Sequence, residues 1–317
     1  MQPWFKPTCS IQGAEEELSL EELLLGPRLI EILQNLFAPQ FNWIFAAITL
    51  LGDDAVLVGL GAVVYWCLDK RSGRLVTYVL LFGAYLNFFL KILVQWPRPP
   101  VELRIIEKDE TSYGFPSGHA QDSTTFWAWM CLDFRRWILA ALGTMIVIAV
   151  GISRIYLGVH YPAQVIGGWV IGLVVTGVGM MVLRHLPTRN KESSVMIQAL
   201  FVVAMLVPLA VAASLGAMGE VNPGRIGGYL FGFWLGTLAE ARYVQFTTEV
   251  NGAQKILRIA IGGAVTGFLV LTLGRILPET SLIPSFSNSV IQGLTVALII
   301  PALFSVIERS RTRKDSR

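Results

Sequence analysis

Charge is scarce in this sequence. Asp, Glu, Lys and Arg together make up 15% of its 317 residues, where soluble domains carry about a quarter. That shortage excludes an ordinary water-facing surface. The formal net charge of +3 is too small to recruit nucleic acid, so no such partner is expected. Cysteine is rare too. Cys9, Cys67 and Cys131 stand far apart, the last two inside apolar runs, which excludes a disulfide framework and a cysteine-based zinc motif. His and carboxylate residues nowhere cluster at metal-ligand spacing, so the expectation is no metal and no cofactor. The first 18 residues are polar, hold three consecutive glutamates and lack a basic segment leading into an apolar one. They do not read as a cleavable signal peptide.

What the chain has instead is apolar length. Hydrophobic residues make up 54% and the mean hydropathy is +0.59, with runs of near-spanning length recurring from about residue 41 to residue 308. The fold class predicted is all-α, a polytopic helical membrane protein rather than a spanning barrel. A short helix broken at Gly52, Asp53 and Asp54 leads into a first span from about Ala55, its Asp pair at a helix start near water. Eight more spans are predicted at about 75–95, 118–134, 137–153, 162–184, 195–217, 224–240, 256–276 and 288–308. Residues 19–37 mix apolar positions with Glu21, Glu22, Arg28 and Glu31, a pattern for a helix lying in the interface.

A polar stretch near residue 190 divides the chain into an interfacial segment (1–40), a core (41–190) and an accessory helical module (191–317). In that module Gly228, Gly232 and Gly236 recur every four residues, which lets a neighbouring helix approach closely. The module's role stays open between a dimer surface, and hence a homo-oligomer, a lateral lipid gate and a translocation path.

Basic residues are unevenly distributed. With the spans above, sixteen Lys and Arg fall on one side, among them Lys70, Arg71, Arg74, Arg135, Arg136 and the C-terminal tail, and six on the other, setting aside Lys91, Arg98 and Arg154. The positive-inside rule places the richer side in the cytoplasm. The loops at 96–117 and 154–161 then share the outer face.

Those loops carry the chemistry. Lys91 is followed after six residues by Arg98 and Pro99; Pro116, Ser117, Gly118 and His119 open an apolar helix; Ser153 and Arg154 are followed after five residues by His160 and then by Gln164. Two of the three histidines of the chain thus sit beside cations, a hydroxyl and a helix N-terminus, the groups that hold an anion. Lys91 in isolation reads as a snorkelling span-end residue. Asp122 reads as a helix-start carboxylate or, one turn from His119, as a group orienting that imidazole.

Taken in order, the three blocks resemble the type 2 phosphatidic acid phosphatase (PAP2) superfamily, which shares its active site with vanadium haloperoxidases. The resemblance covers about residues 41–184. The one departure is Gln164, where the pattern has Asp; branches that look like glucose-6-phosphatase and dolichyl diphosphatase also carry Gln there. The resemblance implies that His160 attacks phosphorus and forms a phosphohistidine, that His119 protonates the leaving oxygen, and that Lys91, Arg98, Ser117, Gly118 and Arg154 hold the phosphoryl oxygens. Gln164 cannot lend charge to His160, but its carbonyl can fix the tautomer.

The implied activity is metal-independent hydrolysis of a lipid phosphate or polyprenyl diphosphate, with a membrane lipid as the partner and the cell membrane as the default location, the site facing outward. A phosphotransferase using the same phosphohistidine and a non-catalytic lipid-phosphate binder or transporter are the alternatives. The aromatic loop residues Trp96, Tyr113 and Phe115 do not choose a substrate.

Overall fold

The computed structural model describes residues 19–106, 112–185, 191–214, 222–277 and 281–315. The division near residue 190 falls outside them. Among the described residues there are helices and no strands, as a chain whose backbone must satisfy itself in lipid requires.

The N-terminal stretch forms two helices, α1 (Leu20–Leu25) and α2 (Arg28–Phe37), broken at Gly26 and Pro27. The single interfacial helix expected there is corrected in this respect. Proline has no N–H to continue α1 and a fixed φ that suits the start of α2. Rather than only facing a lipid surface, α2 buries Ile30 completely against Ala120, Ile155 and Val165.

Next, α3 (Asn42–Thr49) and α4 (Asp54–Cys67) meet at a bend of 51°. Asp53 caps α4 by accepting the Ala55 N–H at 2.9 Å. The core continues with α5 (Lys70–Val94), α6 (Gly118–Phe134), α7 (Trp137–Tyr156) and α8 (Pro162–His185). The second half holds α9 (Lys191–Ser214), α10 (Pro223–Ala239), α11 (Gly252–Ile276), α12 (Leu282–Leu294) and α13 (Ile300–Asp315).

Among the described residues, five helical segments are long and apolar enough to cross a membrane, six if the bent pair counts as one. The chain is a multi-pass membrane protein. Two of the nine expected spans, α6 and α10, are 17-residue helices that fall short of that measure, and α6 shows a further reason. Its 17 residues bury Gln121, Asp122, Ser123, Thr124 and Thr125. Several of the hydroxyls bond back to their own helix, Thr124 Oγ1 to the Ala120 carbonyl at 2.6 Å and Thr125 Oγ1 to that of Gln121 at 2.9 Å, which satisfies polar atoms without water. Such a helix is wrapped by protein, not lipid.

In the second half, the glycine ladder closes a helix pair. A Cβ on Gly228 would collide with the Phe286 carbonyl oxygen, and one on Gly232 with that of Val290. The pairing advances in the same direction along both helices, so α10 and α12 are parallel, with α11 as the return stroke.

The halves share a core. Tyr65, Trp66 and Tyr78 of α4 and α5 cluster with Phe233, Val296, Ile300 and Phe304. The Trp66 indole donates to the Val296 carbonyl at 2.9 Å, and Lys70 pairs with buried Glu240 at 2.6 Å. Arg258, 1% exposed, donates to Glu308 at 2.9 Å and to the Trp66 carbonyl at 2.7 Å.

Candidate active site

The three blocks of the sequence converge. Lys91, in the last turn of α5 and 7% exposed, donates to Ser112 Oγ at 2.9 Å. Arg98 spreads its fork across the same residue, Nε to the Ser112 carbonyl at 2.8 Å and Nη2 to Ser112 Oγ at 3.1 Å. Its Nη1 reaches the Val159 carbonyl at 3.1 Å and His160 Nε2 at 3.0 Å. Ser112 was not singled out from the sequence. One hydroxyl in a loop carries no signal until the fold puts two cations on it.

Ser117 is the N-cap of α6, yet its side chain makes no capping bond, and its fully buried Oγ has no hydrogen-bond partner. A cap hydroxyl normally satisfies a free N–H of the first turn. Here the hydroxyl and the first N–H groups of α6 stand unused by each other, which suits an anion at a helix N-terminus. Arg154 enters from the last turn of α7, 3% exposed, with Nη1 donating to Thr49 Oγ1 at 3.1 Å.

His160 lies in the turn between α7 and α8, 2% exposed. Its Nδ1 is 3.1 Å from Gln164 Oε1. The orientation of that amide is set by its surroundings, since Gln164 Nε2 donates to the Pro97 carbonyl at 2.8 Å and Oε1 accepts the Tyr161 N–H at 3.2 Å. The oxygen therefore faces the imidazole, Nδ1 carries the hydrogen, and the lone pair sits on Nε2 beside Arg98. Burial pushes the His160 pKa well below the ordinary imidazole range, Arg98, Arg154 and Lys91 add to this, and the Gln164 bond opposes it. The ring is neutral near pH 7 and aimed at the cations.

The loops are braced from the N-terminal side. Gln34 of α2 donates from one amide nitrogen to the Leu103 and Tyr156 carbonyls, both at 2.8 Å. Tyr156 donates to Asn42 Oδ1 at 2.6 Å and stacks on Phe45 with ring centroids 4.0 Å apart. Gly158, at φ +70°, leaves no room for a Cβ against the Leu103 carbonyl.

A cavity of about 410 Å³ opens on this group. Lys91, Arg98, Gly118, His119, Arg154 and His160 line it, so both histidines and all three cations face one space, with Ser117 and Gln164 buried behind. Asp122 also lines it, its carboxyl interacting with that of Asp54 rather than standing only as a helix-start charge.

Residues 73–186 match the family model described as PAP2 superfamily, and residues 224–312 match a second one, PAP2 superfamily phosphatase, transmembrane extension. Phosphatidylglycerophosphatase B of Bacillus subtilis (strain 168) is 27% identical over a stretch covering 53% of this chain and 82% of that protein. Undecaprenyl-diphosphatase of Sulfolobus acidocaldarius is 26% identical, covering 49% and 70%. Among solved structures, the first transmembrane PAP2 type phosphatidylglycerolphosphate phosphatase from Bacillus subtilis aligns with a TM-score of 0.43 and 23% identity, covering 52% of this chain and 87% of that one.

Proposed function

The chain belongs to the PAP2 superfamily, and we propose from that premise that it is a membrane phosphatase which hydrolyses a lipid phosphate or polyprenyl diphosphate through a phosphohistidine. One observation carries the reading: the His160 ring, its Nδ1 hydrogen bonded to Gln164, turns Nε2 toward Arg98 at 3.0 Å. In the first step Nε2 bonds to phosphorus while the phosphorus–oxygen bond to the leaving group breaks, and His119 gives that oxygen its proton. Water then attacks the phosphohistidine, His119 takes the water's proton, and inorganic phosphate leaves with His160 restored.

The cradle supplies the electrostatics. Lys91, Arg98 and Arg154 neutralise the phosphoryl oxygens, and Ser117 Oγ with the first N–H of α6 completes the set. Lys91, Arg98 and Arg154 around the phosphate position do the charge-neutralising work that a metal ion would otherwise do, which supports a metal-independent reaction. The excess of basic residues on the opposite loops supports a site on the extracytoplasmic side. A substrate anchored in the bilayer presents its phosphate at that level, in keeping with relatives named phosphatidylglycerophosphatase and undecaprenyl-diphosphatase.

Purified protein in detergent with EDTA is expected to release phosphate from at least one lipid phosphate or diphosphate, and His160→Ala to abolish release. Release that requires added metal, or that survives His160→Ala, overturns the mechanism.

A further inference from the structure

The cavity does not end at the phosphate cradle. Three helices line it with stripes that run from polar or charged to apolar with depth. On α5 the stripe is Lys91, Asn87, Ala84, Leu81 and Leu80; on α4 it is Asp54, Leu57 and Val58; on α10 it is Arg225, Ile226 and Tyr229. Spacings of three and four residues keep each stripe on one helix face. From Lys91 to Leu80 a helix rises about 16 Å, roughly half the hydrocarbon thickness of a bilayer.

Besides these stripes the lining holds the Asp122 carboxyl and the Ser289 hydroxyl, and its two amides are engaged by protein. Asn87 donates to Gln121 Oε1 at 3.0 Å, and Gln292, on the facing α12, donates to Asn288 Oδ1 at 2.7 Å. A chain entering between these helices meets no side-chain amide there that lacks a protein partner.

We propose that this slot, between α4 and α5 of the phosphatase core and α10 of the transmembrane extension, receives the hydrocarbon tail of the substrate, with Arg225 at its mouth. The inference rests on the lipid-phosphatase reading above and makes the extension one wall of the substrate site. Continuity with the cradle identifies the occupant, because a ligand with its phosphate beside His160 has its next atoms inside the slot. A hydrocarbon fits the walls that Leu57, Leu80, Leu81, Ala84 and Ile226 provide.

The test compares phosphate release from oleoyl-chain and butyryl-chain phosphatidate in mixed micelles. Wild type is expected to prefer the long chain. Ala84→Phe, which fills the slot from α5, and Ile226→Trp, which fills it from α10, should each lower the oleoyl-to-butyryl ratio of kcat/KM about tenfold or more. Equal loss on both substrates in both variants, or a ratio unchanged from wild type, overturns the slot. A wild type that releases phosphate from neither phosphatidate, nor from a polyprenyl diphosphate, refutes the lipid-phosphatase reading instead.

Discussion

Gln164 offers the sharpest perturbation, because its amide is held in one orientation and its carbonyl is the His160 partner. Gln164→Leu keeps the bulk and removes the acceptor, leaving the His160 Nδ1–H and the Tyr161 N–H, at 3.1 and 3.2 Å from it, with nothing to bond. A buried donor stranded in this way costs about 1–3 kcal/mol. If the cost falls on the reactive tautomer, kcat drops between about 5-fold and about 150-fold.

Gln164→Glu keeps the length and adds charge. The neutral imidazole is the attacking form, and in wild type burial and three cations lower its pKa. The sign follows directly: a lowered pKa keeps the nucleophile neutral further into acid, so the acid limb of kcat/KM lies below the free-imidazole value of about 6.5. A carboxylate at position 164 favours the imidazolium and moves that limb upward, whereas Leu does not. The assay is phosphate release against pH, under single turnover, for wild type and both variants. A Leu variant with wild-type kcat, or a wild-type acid limb above about 6.5, refutes the assignment of His160 as a neutral nucleophile positioned by Gln164.

Gln34→Leu removes two bonds that tie α2 to the loops carrying Arg98 and His160; the expected result is a loss of about tenfold in kcat with little change in KM, measured beside a thermal midpoint that separates misplacement from unfolding. Arg258→Met removes the bidentate bond to Glu308 and leaves the Trp66 and Thr247 carbonyls without this donor. It should destabilise the detergent-solubilised protein by about 1–3 kcal/mol, read from thermal unfolding, since buried carbonyls lose a charged donor.

The legible part of the site was the part written as fixed spacing. Lys91, Arg98, Ser117, His119, Arg154, His160 and Gln164 could be chosen because their intervals resemble the PAP2 pattern, and the fold brings them to one cavity, with Ser117 and Gln164 behind its lining. Helix limits were legible for a similar reason: the stretch expected at 118–134 is Gly118–Phe134, bounded by a Ser cap and a left-handed Arg135. Ser112, Thr49 and Gln34 were not legible. Each is an ordinary polar residue whose role depends on what tertiary packing brings to it. The stretches expected to span at 118–134 and 224–240 are largely buried helices, since hydropathy does not distinguish a helix sheathed by lipid from one sheathed by neighbouring helices. The glycine ladder announced close packing but not its partner, which only the α10–α12 contact reveals.

The shared core has a consequence for how the protein is made. Every side chain of the catalytic cradle has left the ribosome once residue 164 emerges, but Arg225, Tyr229, Ser289 and Gln292 of the same cavity come later, the last by nearly 130 residues. At ordinary rates of about 5–20 residues per second, that is a delay of roughly 6–26 seconds. During that interval a nascent chain holds its histidines and cations beside an unfinished wall. Docking of the parallel pair α10 and α12 onto Tyr65, Trp66 and Tyr78 is then the assembly event that completes the enzyme, and a chain halted before it would carry the whole motif without a whole site.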